Sequence, residues 1–151
     1  MTFAKLFIPI LDEFKTANKV LYLDNDIEIF SKNILRIFYE NCENYDFLAI
    51  RESEKMCNSH ARKWRYPFVK DIASIMPTHC KIRLDKKDYV NAGILLFNLA
   101  NIRVSHADYI AEIGKMIQLQ QKHPKVCCMQ DEDIINMFFS INIISPKFAA
   151  R

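Results

Sequence analysis

Hydrophobic positions recur along the chain in two periods. From Thr2 to Phe14 the apolar residues Phe3, Leu6, Phe7, Ile10, Leu11 and Phe14 fall at helical spacing, predicting an amphipathic helix kinked at Pro9. Lys19 to Leu23 (KVLYL) is a short, almost wholly apolar run ending in Asp24, the habit of a parallel strand buried on both faces. A helix capped by Ser31 and carrying Ile34, Leu35, Ile37 and Phe38 follows, then a second strand from Phe47 to Ile50. Ser53 to Met76 mixes charge and aromatics without a clear period, with boundaries at Tyr66-Pro67 and Met76-Pro77, and Thr78 to Asp88 reads as a charged loop. Tyr89 to Leu99 (YVNAGILLFNL) is a third strand. A helix carrying Tyr109, Ile110, Ile113, Ile117 and Leu119 comes next, then a helix from Gln130 to Phe139 and a strand from Ile141 to Ile144. Strands alternating with helices predict an α/β layered domain with a mostly parallel sheet.

Composition narrows this picture mainly by exclusion. The 151 residues suit one domain, and no internal repeat, low-complexity stretch or linker divides them. There are two glycines, Gly93 and Gly114, where average usage of ~7% would give roughly ten. A P-loop, a G-x-G-x-x-G turn and a G-x-S-x-G elbow each need glycines within a few positions, so all three are excluded. A net charge of +3 with no basic tail gives no ground for nucleic-acid binding. The five cysteines, Cys42, Cys57, Cys80, Cys127 and Cys128, form no C-x-x-C pair, which points to reduced thiols and a cytoplasmic setting. The apolar start from Leu6 to Leu11 is broken by Asp12 and Glu13 and is short for a signal peptide, and no apolar run approaches membrane-spanning length.

Three local features could carry chemistry. In Asp24-Asn25-Asp26, at the end of the first strand, an extended chain puts both carboxylates on one face about 6.6 Å apart. Ligands in open α/β sheets sit beyond the carboxyl ends of strands, and paired hard oxygens there suit Mg²⁺ or Mn²⁺ carrying phosphate oxygens. The competing reading is an ordinary Asx-rich turn. In Asn91-Ala92-Gly93 the glycine lets something approach the backbone and Asn offers both donor and acceptor to a sugar hydroxyl; the competing reading is a β-bulge. Asp131, Glu132 and Asp133 open a helix, where acids also serve the helix dipole. Cys57 with His60 and His79 with Cys80 are half-sites for zinc without a second pair, and His60 to Tyr66 (HARKWRY) is a basic-aromatic cluster that reads as a solvated face or a contact for acidic lipid or acceptor phosphate.

Taken together and in order, these features resemble glycosyltransferase family 8, retaining enzymes of GT-A fold that include lipopolysaccharide galactosyl- and glucosyltransferases. TFAKLFIP resembles the family's Thr-aromatic-x-Arg-Leu helix, KVLYLDND its strand and D-x-D, and YVNAGILLFNLANIR its Asn-Ala-Gly strand. QDEDIIN resembles its Asp-Gln-Asp helix start and ISPKF its Pro-Lys-aromatic turn. The resemblance implies that Asp24 and Asp26 hold Mn²⁺ (or Mg²⁺) on the diphosphate of UDP-galactose or UDP-glucose. Lys5, Asn25, Asn91, Ala92 and Gly93 would meet the donor, Asp131 its hydroxyls, and Glu132 the reacting face of the sugar. Glu132 departs from the family's frequent Gln, and Lys5 from its Arg, which loses a bidentate grip on phosphate and keeps the charge.

The implied acceptor is a saccharide or lipid-linked saccharide of the cell envelope, met at the inner face of the cytoplasmic membrane with peripheral membrane association. The family also implies uridine-binding strands upstream and, downstream, a metal-binding His with a His/Gly/Lys segment. Their absence reads residues 1–151 as one partial domain, the middle of an enzyme, expected to be inactive alone. The competing functions are a haloacid-dehalogenase-like phosphatase, which leaves NAGILLFNL unexplained, and a degenerate non-enzymatic fragment.

Overall fold

The computed structural model describes residues 3–30, 32–51, 89–122 and 131–144. Four strands form one sheet: β1 (Lys19–Leu23), β2 (Phe47–Arg51), β3 (Val90–Asn98) and β4 (Ile141–Ile144), in the spatial order β1-β3-β2-β4. Among the described residues three α-helices accompany them: α1 (Leu99–Ser105), α2 (Tyr109–Lys122) and α3 (Asp131–Phe138). The α/β class and these strands agree with the reading of the sequence. The zinc half-sites, the basic-aromatic cluster and the Ser31 cap lie outside the described residues.

The sheet is mixed rather than mostly parallel. The long central strand β3 runs antiparallel to both β1 and β2, and the parallel pair is β2 with β4. Apolar runs report burial on both faces, and a strand so buried reads alike in either direction. The direction of β3 depends on the residues between β2 and β3, which carry no clear period.

The first predicted helix is also corrected. Residues Ala4–Ile10 and Asp12–Phe14 form two 3₁₀ segments, separated by an extended Leu11 with ψ of 136°. Pro9 has no N–H to give and disfavours α geometry in Ile8, so a continuous α-helix fails there, while the tighter turns still bury Leu6 and Ile8. Lys32–Tyr39, expected to be α-helical, is likewise 3₁₀.

Alternation along β2 and β3 divides the interior into two layers. Phe47, Ala49, Leu95 and Phe97 face the larger one, filled by Leu6, Leu99, Ile102, Ile113, Ile134, Phe138 and Phe139. Leu48 and Leu96 face the other, beneath Ile37 and Cys42. Ring packing is edge-on: Phe47 lies 4.7 Å from Phe97 and 4.9 Å from Phe139, centroid to centroid.

At the end of the sheet where β2 begins, the wholly buried His106 imidazole lies between two carboxylates. Its Nε2 is 3.3 Å from Asp46 Oδ2, and its Nδ1 bonds to Glu112 of α2. Asp46 also accepts the Ser140 N–H and hydroxyl and the Asn101 amide. Burial disfavours the imidazolium, but the bonds to Asp46 and Glu112 outweigh it and hold His106 above the ordinary histidine range. Burial would likewise raise Asp46, and the bonds from His106 and Ser140 bring it below the usual carboxylate range.

These directions set a pH window. The His106 contribution is complete below its unfolded value near 6.5 and disappears as pH rises through the elevated folded value. The Asp46 contribution is complete above its unfolded value near 3.8 and disappears as pH falls through the depressed folded value. The melting temperature is therefore expected to be highest between these limits and to decline on the alkaline side. His106→Gln should lower stability by about 3 kcal/mol in urea unfolding at pH 6 and flatten the alkaline decline. Equal alkaline slopes in the two proteins would contradict this account.

Candidate functional site

The opposite end of the sheet, where β1 and β2 finish and β3 starts, gathers the candidate residues. β3 breaks its pairing with β2 there: Ala49 opposes Leu95, yet Ile50 opposes Asn91, so Ala92, Gly93 and Ile94 bulge out of that ladder. The bulge releases backbone groups for other partners. The Ala92 carbonyl accepts the Lys5 ammonium at 3.0 Å, and the Ala92 N–H points to Glu132 Oε2 at 3.4 Å. On the other edge the Asp24 N–H donates to the Gly93 carbonyl at 2.8 Å, which sets the end of β1 directly against the bulge.

Gly93 is required here by proximity. A Cβ built on it would lie 2.9 Å from Asn91 Oδ1 and 3.0 Å from Asp24 Oδ2. What approaches the glycine is thus the first carboxylate of Asp24-Asn25-Asp26. Asn91 Oδ1 accepts the Gly93 N–H at 2.8 Å, so that oxygen is engaged in shaping the bulge. The β-bulge expected as the competing reading is present, and the group that lies against the glycine is the chain's own Asp24.

Lys5 joins the parts. Its ammonium, 8% exposed, lies 3.2 Å from Asp24 Oδ1 and 2.9 Å from Asp131 Oδ2, and it sits over the Tyr22 ring at 4.7 Å from the centroid. Burial works against the charge, but the hydrogen bond to Asp131 and the charges of Asp131 and Asp24 prevail, holding Lys5 above the ordinary lysine range. The same point charge could not have been shared so compactly by a planar guanidinium. Tyr22, two residues before Asp24 and on its face of β1, donates its hydroxyl to Asp24 Oδ1 at 2.7 Å.

All three acids that open α3 are buried, Asp133 almost completely. Asp131 meets Lys5, Glu132 meets the bulge, and Asp133 accepts the Tyr89 hydroxyl at 2.7 Å. One turn on, the Asn136 amide accepts the Val90 N–H at 2.8 Å and donates to the Val90 carbonyl at 2.9 Å, acting as an added rung on β3. Capping of the helix dipole therefore accounts for little of this acid run; each side chain has a partner outside the helix.

Asn25 and Asp26 are exposed, in a turn closed by the Ile27 N–H on the Asp24 carbonyl at 3.1 Å. The structure thus unites Lys5, Asp24, Ala92, Gly93, Asp131 and Glu132, and leaves Asn25 and Asp26 at the rim. Tyr22, Tyr89, Asp133 and Asn136 are additions to the candidates. Two of them carried a signal in spacing: Tyr22 precedes Asp24 by two on a strand, and Asn136 follows Glu132 by four on a helix.

The donor set fits a hard divalent cation in kind. Asp24 presents an oxygen, Oδ2, and Asp26 a carboxylate that no described residue engages, hard oxygens that would suit Mg²⁺ or Mn²⁺. No group of three or more His, Cys, Asp or Glu stands ready for a metal among the described residues, so the set is not a closed cage. No described helix is long and apolar enough to cross a membrane. A family model described as Glycosyl transferase family 8 matches residues 1–148. Neither the curated proteins nor the solved structures gave a match.

The crowding at Gly93 generates a prediction. Both atoms that a new Cβ would meet are ends of side chains, so Gly93→Ala should fold, with a loss of about 1 kcal/mol in urea unfolding, and displace Asp24 and Asn91. The displacement should appear as carboxyl and amide chemical-shift changes at these two residues by NMR. An unchanged Asp24 carboxyl signal would show that the approach is looser than described.

Proposed function

Because the family match spans nearly the whole chain, the protein belongs to glycosyl transferase family 8, and from that premise we propose that it transfers a hexose from UDP-galactose or UDP-glucose to a saccharide acceptor with retention of anomeric configuration. The family supplies the coarser part, glycosyl transfer from a nucleotide sugar. The observation that carries the finer part is the Lys5 bridge. One buried ammonium ties the Asp24 carboxylate to the Asp131 carboxylate, the two groups that the resemblance assigns to the cation and to the sugar.

In the transfer the bond between the anomeric carbon and the diphosphate oxygen breaks, a bond to an acceptor oxygen forms, and the acceptor loses its proton. Asp24 and Asp26 would hold Mn²⁺ or Mg²⁺, which when bound supplies charge for the leaving diphosphate. Supporting this reading, the described part of the site gathers the carboxylates of Asp24 and Asp131 around Lys5, with Glu132 and Asp133 buried beside them, a setting in which a diphosphate would benefit from an accompanying cation. Asp131, held in place by Lys5, would accept donor hydroxyls, and the bulge with Asn91, Ala92 and Gly93 would line the sugar pocket. Glu132 would face the anomeric carbon. An acceptor in cell-envelope glycan such as lipopolysaccharide, free or lipid-linked, and work at the inner face of the cytoplasmic membrane, belong to the same proposal and follow from the resemblance.

Metal and donor are tested apart. Mn²⁺ titrated by electron paramagnetic resonance should bind the protein and bind Asp26→Ala about tenfold more weakly. Equal binding would remove the cation assignment. With Mg²⁺ present, saturation-transfer NMR should show contact to the hexose protons of UDP-galactose or UDP-glucose, and Asp131→Asn should diminish it. Saturation confined to the uracil ring would sink the sugar-pocket assignment.

Glu132→Gln keeps an oxygen acceptor for the Ala92 N–H, so the bulge should hold. In an active protein, turnover is expected to fall less than about tenfold, the mark of a group that orients rather than attacks. A loss above a thousandfold with donor affinity intact would make Glu132 the nucleophile.

A further inference from the structure

The two oxygens of Asp24 are unlike. Oδ1 receives the Tyr22 hydroxyl at 2.7 Å and the Lys5 ammonium at 3.2 Å, while Oδ2 is turned toward Gly93 and takes no hydrogen bond from a described residue. Tyr22 is itself fixed. It lies in β1, paired with Leu95 of β3, and its ring carries the Lys5 ammonium at 4.7 Å. A carboxylate with one oxygen committed to two donors offers a cation the other oxygen alone.

Divalent cations differ in what they ask of a carboxylate. Mg²⁺ and Mn²⁺ take six oxygens in near-octahedral order, which single-oxygen ligation satisfies; Ca²⁺ takes six to eight and readily uses both oxygens of one group. A second donor on Oδ1 therefore costs Ca²⁺ a ligand that a six-coordinate ion does not need. Resting on the cation reading of Asp24 and Asp26 above, we infer that Tyr22 is a positioning residue that restricts Asp24 to one-oxygen ligation and thereby selects a six-coordinate cation against Ca²⁺. Lys5 assists from the same side, but its ammonium is shared with Asp131 and the Ala92 carbonyl, so Tyr22 is the donor dedicated to Asp24.

Tyr22→Phe deletes the hydroxyl and keeps the ring over Lys5. Mn²⁺ affinity is read by electron paramagnetic resonance, and Ca²⁺ affinity by its competition with Mn²⁺, for the protein and for Tyr22→Phe. Loss of order at Asp24 weakens both ions, whereas release of Oδ1 helps Ca²⁺ alone. The preference for Mn²⁺ over Ca²⁺ should narrow about tenfold or more, within the range of effects for groups behind a metal ligand. The midpoint of thermal unfolding serves as the control and should stay near that of the unaltered protein. A merely structural tyrosine would move stability or both affinities together and leave the ratio constant, which would overturn the inference while Mn²⁺ binding by the unaltered protein upheld the cation reading. Absence of Mn²⁺ binding by the unaltered protein would instead remove both.

Discussion

A single buried ammonium holds this end of the molecule together. Lys5 reaches from the N-terminal 3₁₀ segment to the end of β1, the bulge of β3 and the first residue of α3, through Asp24, Ala92 and Asp131. Taking the charges of Lys5 and Asp131 out of water is costly, with Asp24 only partly covered, and the arrangement persists because each has hydrogen-bonding partners as well as opposite charge. Geometry follows from that requirement. The bulge must free a carbonyl, the helix must begin with an acid, and β1 must stop where its next side chain meets the cation.

The far end of the sheet solves a similar problem with a different cation. His106 stands between Asp46 and Glu112, with Ser140 and Asn101 completing the shell of Asp46. Both cations are held above their ordinary values, but histidine's ordinary value lies far below that of lysine. The two ends therefore respond differently to rising pH: the His106 end loses stability with its proton before the Lys5 end gives up its charge.

Much of this was visible in the sequence. KVLYL and YVNAGILLFNL announced strands by their unbroken apolar runs, and the acids of α3 stood out ahead of Ile134 and Ile135. The direction of β3 was not visible, because side chains buried on both faces carry no sign of it. The 3₁₀ character of the first segment was concealed by spacing that α and 3₁₀ turns share over a few residues, although Pro9 gave a warning. At the site, single residues were legible where chemistry is local, as with Asp24 and Gly93. Their connections were not: Lys5 and Asp131 are 126 positions apart, and only the packing of α3 beside β3 makes them neighbours. The role of Tyr22 is concealed because an aromatic in a strand is ordinarily core.

The bulge of β3 has a consequence for how the site can change over generations. The Ala92 carbonyl and N–H that meet Lys5 and Glu132 belong to the main chain, and no exchange of side chain at position 92 other than to proline deletes either of them. Point substitution can alter the acids, the lysine or the tyrosine and so retune the charge of the pocket. The main-chain groups themselves stay in place through such changes, and the bulge that presents them is undone by an insertion or deletion that restores regular pairing between β2 and β3. The main-chain part of this pocket is thus inherited as shape, while its side chains stay open to variation.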